Sequence, residues 1–302
     1  MTAERTIALA LSSLLLLTGC QDTKLDISGR GTSSTEEETE ASMEPAPCTN
    51  KVVAHRGGSS ECGLPDNSRA SLKYAMQLGC YASECDIYWT SDNNVVIAHA
   101  ADTYYINGLR PYEHTLDELR KAGTLTNGEQ LPSLEDFLDI VMVEGNCTKL
   151  WLDIKNLDSK LTDYPIKAVQ RACEIIEEKG GQKFCEFICT GNSTVAKGAA
   201  ACMVQYKIPV GWMANAAPAT HVANGFTWAN LSAASYMSPY GSRTITEFTK
   251  LGMEISVFNV DKQSGDGNAV YLDTDVQYYI DNYSSLKAIC TNYPSWLLKK
   301  LQ

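Results

Sequence analysis

No stretch of this chain is apolar for long enough to cross a bilayer as a helix. The longest such run, Ile7 to Leu17, covers 11 residues, where a helical span needs about 20. It is long enough for the hydrophobic region of a signal peptide. Positive charge is also in deficit. Lys and Arg number 25 against 36 Asp and Glu, a formal net charge of −11. That balance is a poor match for the phosphates that non-specific nucleic-acid binding must neutralise. No two cysteines are spaced Cys-x-x-Cys, and there are only four histidines, which argues against a structural zinc site. No glycine-rich dinucleotide loop follows the first apolar segment, and no repeat of solenoid period occurs. What remains, 302 residues with 44% hydrophobic and 20% charged, is ordinary globular composition. It suffices for one large domain or two small ones.

The apolar run ends in Leu17-Thr18-Gly19-Cys20. This resembles a bacterial lipobox, in which cleavage leaves Cys20 as a lipidated N-terminus. Residues 1–20 are therefore expected to be a lipoprotein signal peptide. The protein would be exported and anchored at the periplasmic face or cell surface. Residues 21–47 hold seven acidic side chains, two basic ones and no aromatic. Such a segment cannot bury enough apolar surface to offset its ordering entropy, so it reads as an acidic, disordered tether. The domain proper is residues 48–302. It contains ten cysteines, enough for up to five disulfides in an oxidising compartment, with connectivity that spacing does not decide. Several of them are expected to be buried free thiols.

Within the domain, short apolar runs alternate with amphipathic segments. Strands are expected at 52–54, 84–89, 95–98, 150–154, 184–189, 210–213, 255–260 and 286–290. Helices are expected at 67–78, 134–143, 165–178 and 276–283. Alternation of this kind indicates a parallel β/α architecture. Eight strands in about 250 residues match a (β/α)8 TIM barrel; a doubly wound open sheet is the runner-up.

Two of the four histidines, His55 in Val-Val-Ala-His-Arg-Gly and His99 in Val-Val-Ile-Ala-His, directly follow apolar runs. In a barrel that is the carboxyl rim, where active sites are built. His114 and His221 carry no comparable signal. Glu84 and Asp86 lie two apart on one strand and so share a face, while Cys85 turns toward the helices. Asp153 and Lys155 repeat that spacing on another strand. Carboxylates brought together away from water require a proton or a cation between them. Three acids near one Lys and one Arg make a site for a hard cation. The aspartate-rich stretch from Asp261 to Asp275 fits no EF-hand spacing and reads as a solvated loop.

The ordered set His55-Arg56-Gly57, Pro65-Asp66-Asn67-Ser68, Glu84-Cys85-Asp86, His99 and Asp153-Ile154-Lys155 resembles the glycerophosphodiester phosphodiesterase family. Leu131-Pro132-Ser133-Leu134, Val257-Phe258-Asn259-Val260 and Ile289-Cys290-Thr291-Asn292-Tyr293-Pro294 extend the resemblance over about residues 51–295. It implies a metal-dependent hydrolysis of glycerophosphodiesters to sn-glycerol 3-phosphate and an alcohol. His55 and His99 would be the acid–base pair. Glu84, Asp86 and Asp153 would hold one divalent cation, calcium or magnesium. Arg56, Lys155, Asp66 and Phe258 would bind substrate. Partners would be a small-molecule phosphodiester and, through Cys20, a membrane, with no nucleic acid. This sequence departs from the family pattern at Asp66, Ser68, Ala100, Asp153 and Phe258, which bears on metal spacing and substrate choice. A phospholipase C- or D-like activity on a phospholipid or lysophospholipid is the alternative, with Tyr104-Tyr105-Ile106 and the Trp212-Met213 segment as apolar hints. A catalytically inactive, lipid-anchored binding protein is the second alternative.

Overall fold

The computed structural model describes residues 48–100, 106–157, 160–262 and 273–302. The expected signal peptide and tether, Cys20 included, lie outside the described residues. Among those described, no helix is long and apolar enough to cross a membrane.

Nine strands form one sheet: β1 (Val52–Ala54), β2 (Ala82–Trp89), β3 (Val95–Ile97), β4 (Lys149–Ile154), β5 (Cys185–Cys189), β6 (Val210–Trp212), β7 (Trp228–Ser232), β8 (Glu254–Phe258) and β9 (Ala288–Thr291). All pair in parallel except β3, and β1 pairs with both β2 and β9, which closes an eight-stranded barrel. The expected (β/α)8 barrel is therefore the fold. The eight expected strands are not the eight of the barrel, however. Val95–Ile97 is an antiparallel return strand on the outer end of β2, and the run Trp228–Ser232, absent from the expected set, supplies the missing member.

Strand alternation sorts the side chains into two environments. Cys85, Ile87, Leu150, Leu152, Phe187 and Cys189 face outward and pack with helix residues such as Leu72, Phe137, Val169 and Ile176. Val53, Trp151, Ile188, Trp228 and Cys290 face inward and fill the barrel. Cys85 thus lies on the helix side, as its position between Glu84 and Asp86 requires. Gly211 on β6 makes room for the interior: a Cβ there would come within 2.7 Å of the Trp228 ring.

The amino end of the barrel is closed by charge. Glu186, buried at 2% exposure, accepts from Lys149 Nζ at 2.7 Å, Tyr81 Oη at 2.9 Å and Trp151 Nε1 at 2.9 Å, with Lys287 Nζ at 3.5 Å. Burial would raise its carboxyl, but Lys287 and Lys149 outweigh burial and hold it below the usual range. The helices begin where the sequence offers caps. Ser68, Thr115 and Ser133 each cap a helix in a reciprocal capping box. Gly180 in the left-handed region ends the helix Asp163–Lys179.

Of the ten domain cysteines, Cys48 and Cys147 form a disulfide, with Cα atoms 5.7 Å apart. The other eight are free and, apart from half-buried Cys62, buried. One bridge therefore forms where five were the upper bound.

Candidate active site

The barrel register brings the acids together. Asp86 on β2 is the direct partner of Asp153 on β4, and Glu84 lies one inward position below Asp86. All three are buried. Each can offer an oxygen within 4.8 Å of those of the other two. Lys155, continuing β4, sets its Nζ 2.6 Å from Asp86 Oδ1 and 2.7 Å from Asp153 Oδ2. Asp153 Oδ1 is buried without a hydrogen-bond partner, so it has a lone pair to give. Three oxygen donors converging in this way fit a hard divalent cation.

The segment after β1 explains its own composition. Arg56 and Gly57 adopt left-handed angles, φ 48° and 79°, and a Cβ on Gly57 would come within 2.6 Å of the Ser71 backbone. Only glycine permits both the turn and the close approach of the helix Arg69–Gln77. The tight turn directs the Arg56 backbone N–H to Glu84 Oε2 at 3.0 Å. The Arg56 guanidinium reaches Asp66 Oδ2 at 2.8 Å and lies 3.4 Å from Asp86 Oδ2. Asp66 is further held by the Ser59 hydroxyl. Asn67, also left-handed at φ 57°, donates from Nδ2 to Asp86 Oδ2 at 2.8 Å and accepts the Asp86 N–H at 3.1 Å.

His55 sits at the end of β1 with Nε2 3.7 Å from Glu84 Oε2 and Nδ1 2.6 Å from Asn292 Oδ1. His99 arrives by another route than the sequence suggests. It follows no barrel strand. The antiparallel return of β3 carries it back, so that the Ala98 N–H meets the Asp86 carbonyl at 3.1 Å. His99 is the next residue, and it is exposed. Phe258 ends β8 and packs onto the top of the barrel interior.

The electrostatics follow from burial. Burial, then the Asp86 and Asp153 charges, push the Glu84 carboxyl well above the usual range. Burial also raises Asp153, against the pull of Lys155. For Asp86 burial is outweighed by Lys155 and Arg56, so it stays below the usual range. Lys155 is held far above its ordinary value: its burial is overcome by Asp153, Asp86 and Glu84. Burial, with Arg56 adding to it, lowers His55. Partial desolvation lowers His99 as well, although its surface stays open to solvent, against the attraction of Asp86.

The remaining histidines stand elsewhere. His114 contacts the Arg110 carbonyl at 3.0 Å. His221 is buried among Trp212, Phe226 and Phe248. Trp212 points into that outer layer and stacks on Phe226, so it gives no apolar rim. Tyr104 and Tyr105 lie outside the described residues. Asp261 is no solvated loop residue: at 4% exposure it accepts from Thr291 Oγ1, the Asn292 N–H and Asn292 Nδ2. Residues 263–272 of that stretch lie outside the described residues. Local sequence gives Asn67, Asn292 and Asp261 no role of their own. Asn67 and Asn292 stand inside the Pro65-Asp66-Asn67-Ser68 and Thr291-Asn292-Tyr293-Pro294 motifs, which mark them only by position.

A closed (β/α)8 barrel with three carboxylates, a lysine, an arginine and two histidines around its carboxyl rim defines a barrel enzyme of the phosphodiesterase type. Comparison with known proteins agrees. The family model described as "Glycerophosphoryl diester phosphodiesterase family" matches residues 55–295, and the chain belongs to that family. A crystal structure of a glycerophosphodiester phosphodiesterase from Parabacteroides distasonis superposes with a TM-score of 0.67 at 25% identity, over 85% of this chain and 98% of that one. A phosphodiesterase from Oleispira antarctica, solved in complex with the product sn-glycerol-3-phosphate, superposes with a TM-score of 0.62 at 19% identity, over 82% and 95% of the two chains. A glycerophosphodiester phosphodiesterase of Caldanaerobacter subterraneus is 30% identical over 98 residues, which is 30% of this chain and 40% of that protein.

Proposed function

We propose that this protein hydrolyses glycerophosphodiesters to sn-glycerol 3-phosphate and an alcohol, with one divalent cation, calcium or magnesium, held by Glu84, Asp86 and Asp153. The observation that carries the reading is the convergence of those three buried carboxylates against Lys155 and Arg56, in a chain of this family. The Oleispira antarctica protein, crystallised with sn-glycerol-3-phosphate, supports the same product here.

A phosphodiester anion repels nucleophiles and has a poor alkoxide leaving group. When bound, the cation supplies Lewis-acid polarisation of a phosphoryl oxygen. Arg56 and Lys155 add fixed positive charge around the phosphate. Asp66 holds Arg56 in place, and Phe258 gives the substrate an apolar wall. His55 and His99, both lowered toward the neutral form, exchange protons with the attacking and leaving oxygens. In this reading the glycerol hydroxyl of the substrate attacks first and gives a cyclic phosphate, which water then opens.

The test is release of glycerol 3-phosphate from glycerophosphocholine by residues 48–302, with EDTA and with calcium or magnesium restored. Metal-dependent release, abolished by both His55→Ala and His99→Ala, is the expected result. Tight metal binding with no release would favour a phospholipid substrate or a binding role. We further propose that the protein is an exported lipoprotein anchored through Cys20, on a tether formed by residues 21–47. Loss of lipid label and of membrane association together in Cys20→Ala is expected; a variant that stayed on the membrane would sink the anchor.

A further inference from the structure

His55 is gripped from behind by a buried polar chain. Its Nδ1 lies 2.6 Å from Asn292 Oδ1. Asn292 Nδ2 donates to Asp261 Oδ2 at 2.7 Å, and the Asn292 backbone N–H donates to Asp261 Oδ1 at 2.7 Å. Thr291 Oγ1 donates to the same oxygen at 2.9 Å. Asp261 and Thr291 are buried, at 4% and 0% exposure.

The donor inventory decides the orientation of every member. A carboxylate only accepts, so the Asn292 amide must turn its NH2 to Asp261 and its oxygen to His55. An amide oxygen also only accepts, so the proton of the neutral ring sits on Nδ1. Nε2 is then left with a lone pair, and Nε2 is the nitrogen that faces the acidic site, 3.7 Å from Glu84 Oε2. Asn259 Nδ2, itself a donor, lies 3.3 Å from Nδ1 and on its own would favour the other tautomer. The 2.6 Å contact is the stronger and sets the tautomer.

We propose that Asn292, locked by Asp261, is a positioning residue that holds His55 in the Nδ1–H tautomer, with Nε2 free to accept the proton of the attacking hydroxyl. The inference rests on the reading of His55 as an acid–base group. An amide does this without placing another negative charge beside three acids. It also ties residue 292 to residue 261. An aspartate at 292 would face the Asp261 carboxylate across a hydrogen-bond distance, with no proton between them. Exchanging the two residues would restore the chain. An asparagine at 261 keeps its oxygen for the Thr291 and residue 292 donors and turns its NH2 to an aspartate at 292, whose second oxygen accepts from Nδ1.

The experiment combines steady-state kinetics on glycerophosphocholine with 15N spectra of protein labelled at histidine. The wild-type protein should show His55 protonated at Nδ1. Asn292→Ala and Asn292→Asp should each lower kcat by about 10- to 100-fold, by analogy with the loss of a partner that fixes a metal-bound histidine. KM should change little, while the thermal midpoint should fall in both single variants, which leave the buried Asp261 carboxylate without its Asn292 side-chain donor, and should recover with the exchange. The double variant Asp261→Asn/Asn292→Asp should recover most of the lost kcat, a coupling that simple loss of packing cannot produce. An Nε2–H tautomer in the wild-type protein, an unchanged kcat in Asn292→Ala, or an exchange no better than its single variants would overturn the proposal. If the wild-type protein turns over no glycerophosphodiester, the functional reading fails instead, and the 15N spectra still decide the tautomer.

Discussion

Glu84 carries two opposed demands. Its carboxyl lies deep in the barrel beside Asp86 and Asp153, and burial first, then those charges, raises it well above the usual range. A group whose folded pKa is raised favours the fold while protonated. It loses that contribution as pH climbs from its unfolded value, near 4.5, through the folded one. At neutral pH without metal it therefore works against the fold. Glu84→Gln keeps an acceptor for the Arg56 N–H and removes the charge. We expect the variant to melt higher than the wild-type protein in EDTA at pH 7, and to lose activity by about 100-fold or more, as a site residue held at a cost in stability should. Added calcium or magnesium should raise the melting midpoint of the wild-type protein and leave that of the variant nearly unchanged. A variant less stable than wild type in EDTA would refute the account. The residue types of this site were legible in sequence because chemistry restricts them: few groups can bind a cation or move a proton at neutral pH. The partners of those residues were not legible. Asn292 and Asp261 act on His55 across 237 and 206 positions of chain, and no local spacing encodes such a meeting.

Elements governed by strong local rules are legible in the sequence, and those without them are not. The helix Arg69–Gln77 starts where a serine cap stands, Ser68 Oγ accepting the Ser71 N–H at 2.9 Å. Ser68→Ala should cost about 1 kcal/mol, measurable by denaturant unfolding, with kcat little altered. Gly57→Ala is predicted to be far worse. It combines a left-handed φ of 79° with a Cβ placed 2.5–2.6 Å from Ser71. Strain of about 1–3 kcal/mol would pull Arg56 off Glu84, and activity should fall with stability. An active, stable alanine variant would show that the turn tolerates a side chain. The differences between expected and observed strands have a physical cause. Val95-Val96-Ile97 is buried on both faces, and such a run looks like a parallel barrel strand. Its antiparallel partner is a property of the sheet. Conversely, β7 reads Trp-Ala-Asn-Leu-Ser. Its inward Asn230 bonds Ser256, which in turn accepts from Trp228 Nε1, so a polar interior layer disguises a barrel strand as a loop.

At the scale of the whole molecule, the barrel is fastened by a disulfide at the amino ends of its strands and by buried charge at its floor. The Cys48–Cys147 disulfide joins the approach to β1 with the approach to β4, across 99 positions. Constraint of so long a loop is worth about 2–4 kcal/mol. The double variant Cys48→Ser/Cys147→Ser should lose that much stability in denaturant titration while retaining kcat, because the bridge lies at the amino ends of the strands. The acid limb of stability should come from the floor and from the helix Leu134–Val141. Glu186 is held below its usual range by Lys287 and Lys149 against burial. Asp136 is held below it by the Ser133 backbone, Arg69 and Arg120 against burial. Both depressed carboxyls contribute fully above their unfolded values of 4.5 and 3.8. That contribution is lost as pH falls below those values through the folded ones. Melting between pH 6 and pH 2, about the span those carboxyls titrate across, should show a steep loss that Glu186→Gln flattens.

The sequence by itself determined the class of the fold and the inventory of the chemistry. Strand and helix periodicity, capping residues and a small set of chemically restricted side chains act over a few positions, and such signals survive in one dimension. The tertiary structure alone decided which strands closed the barrel and how His99 reached the site from an antiparallel return. It also decided which two of ten cysteines met and which amide stood behind His55. Each of those outcomes depends on contacts between residues far apart in the chain. Barrel closure and register settle them, and no local preference can.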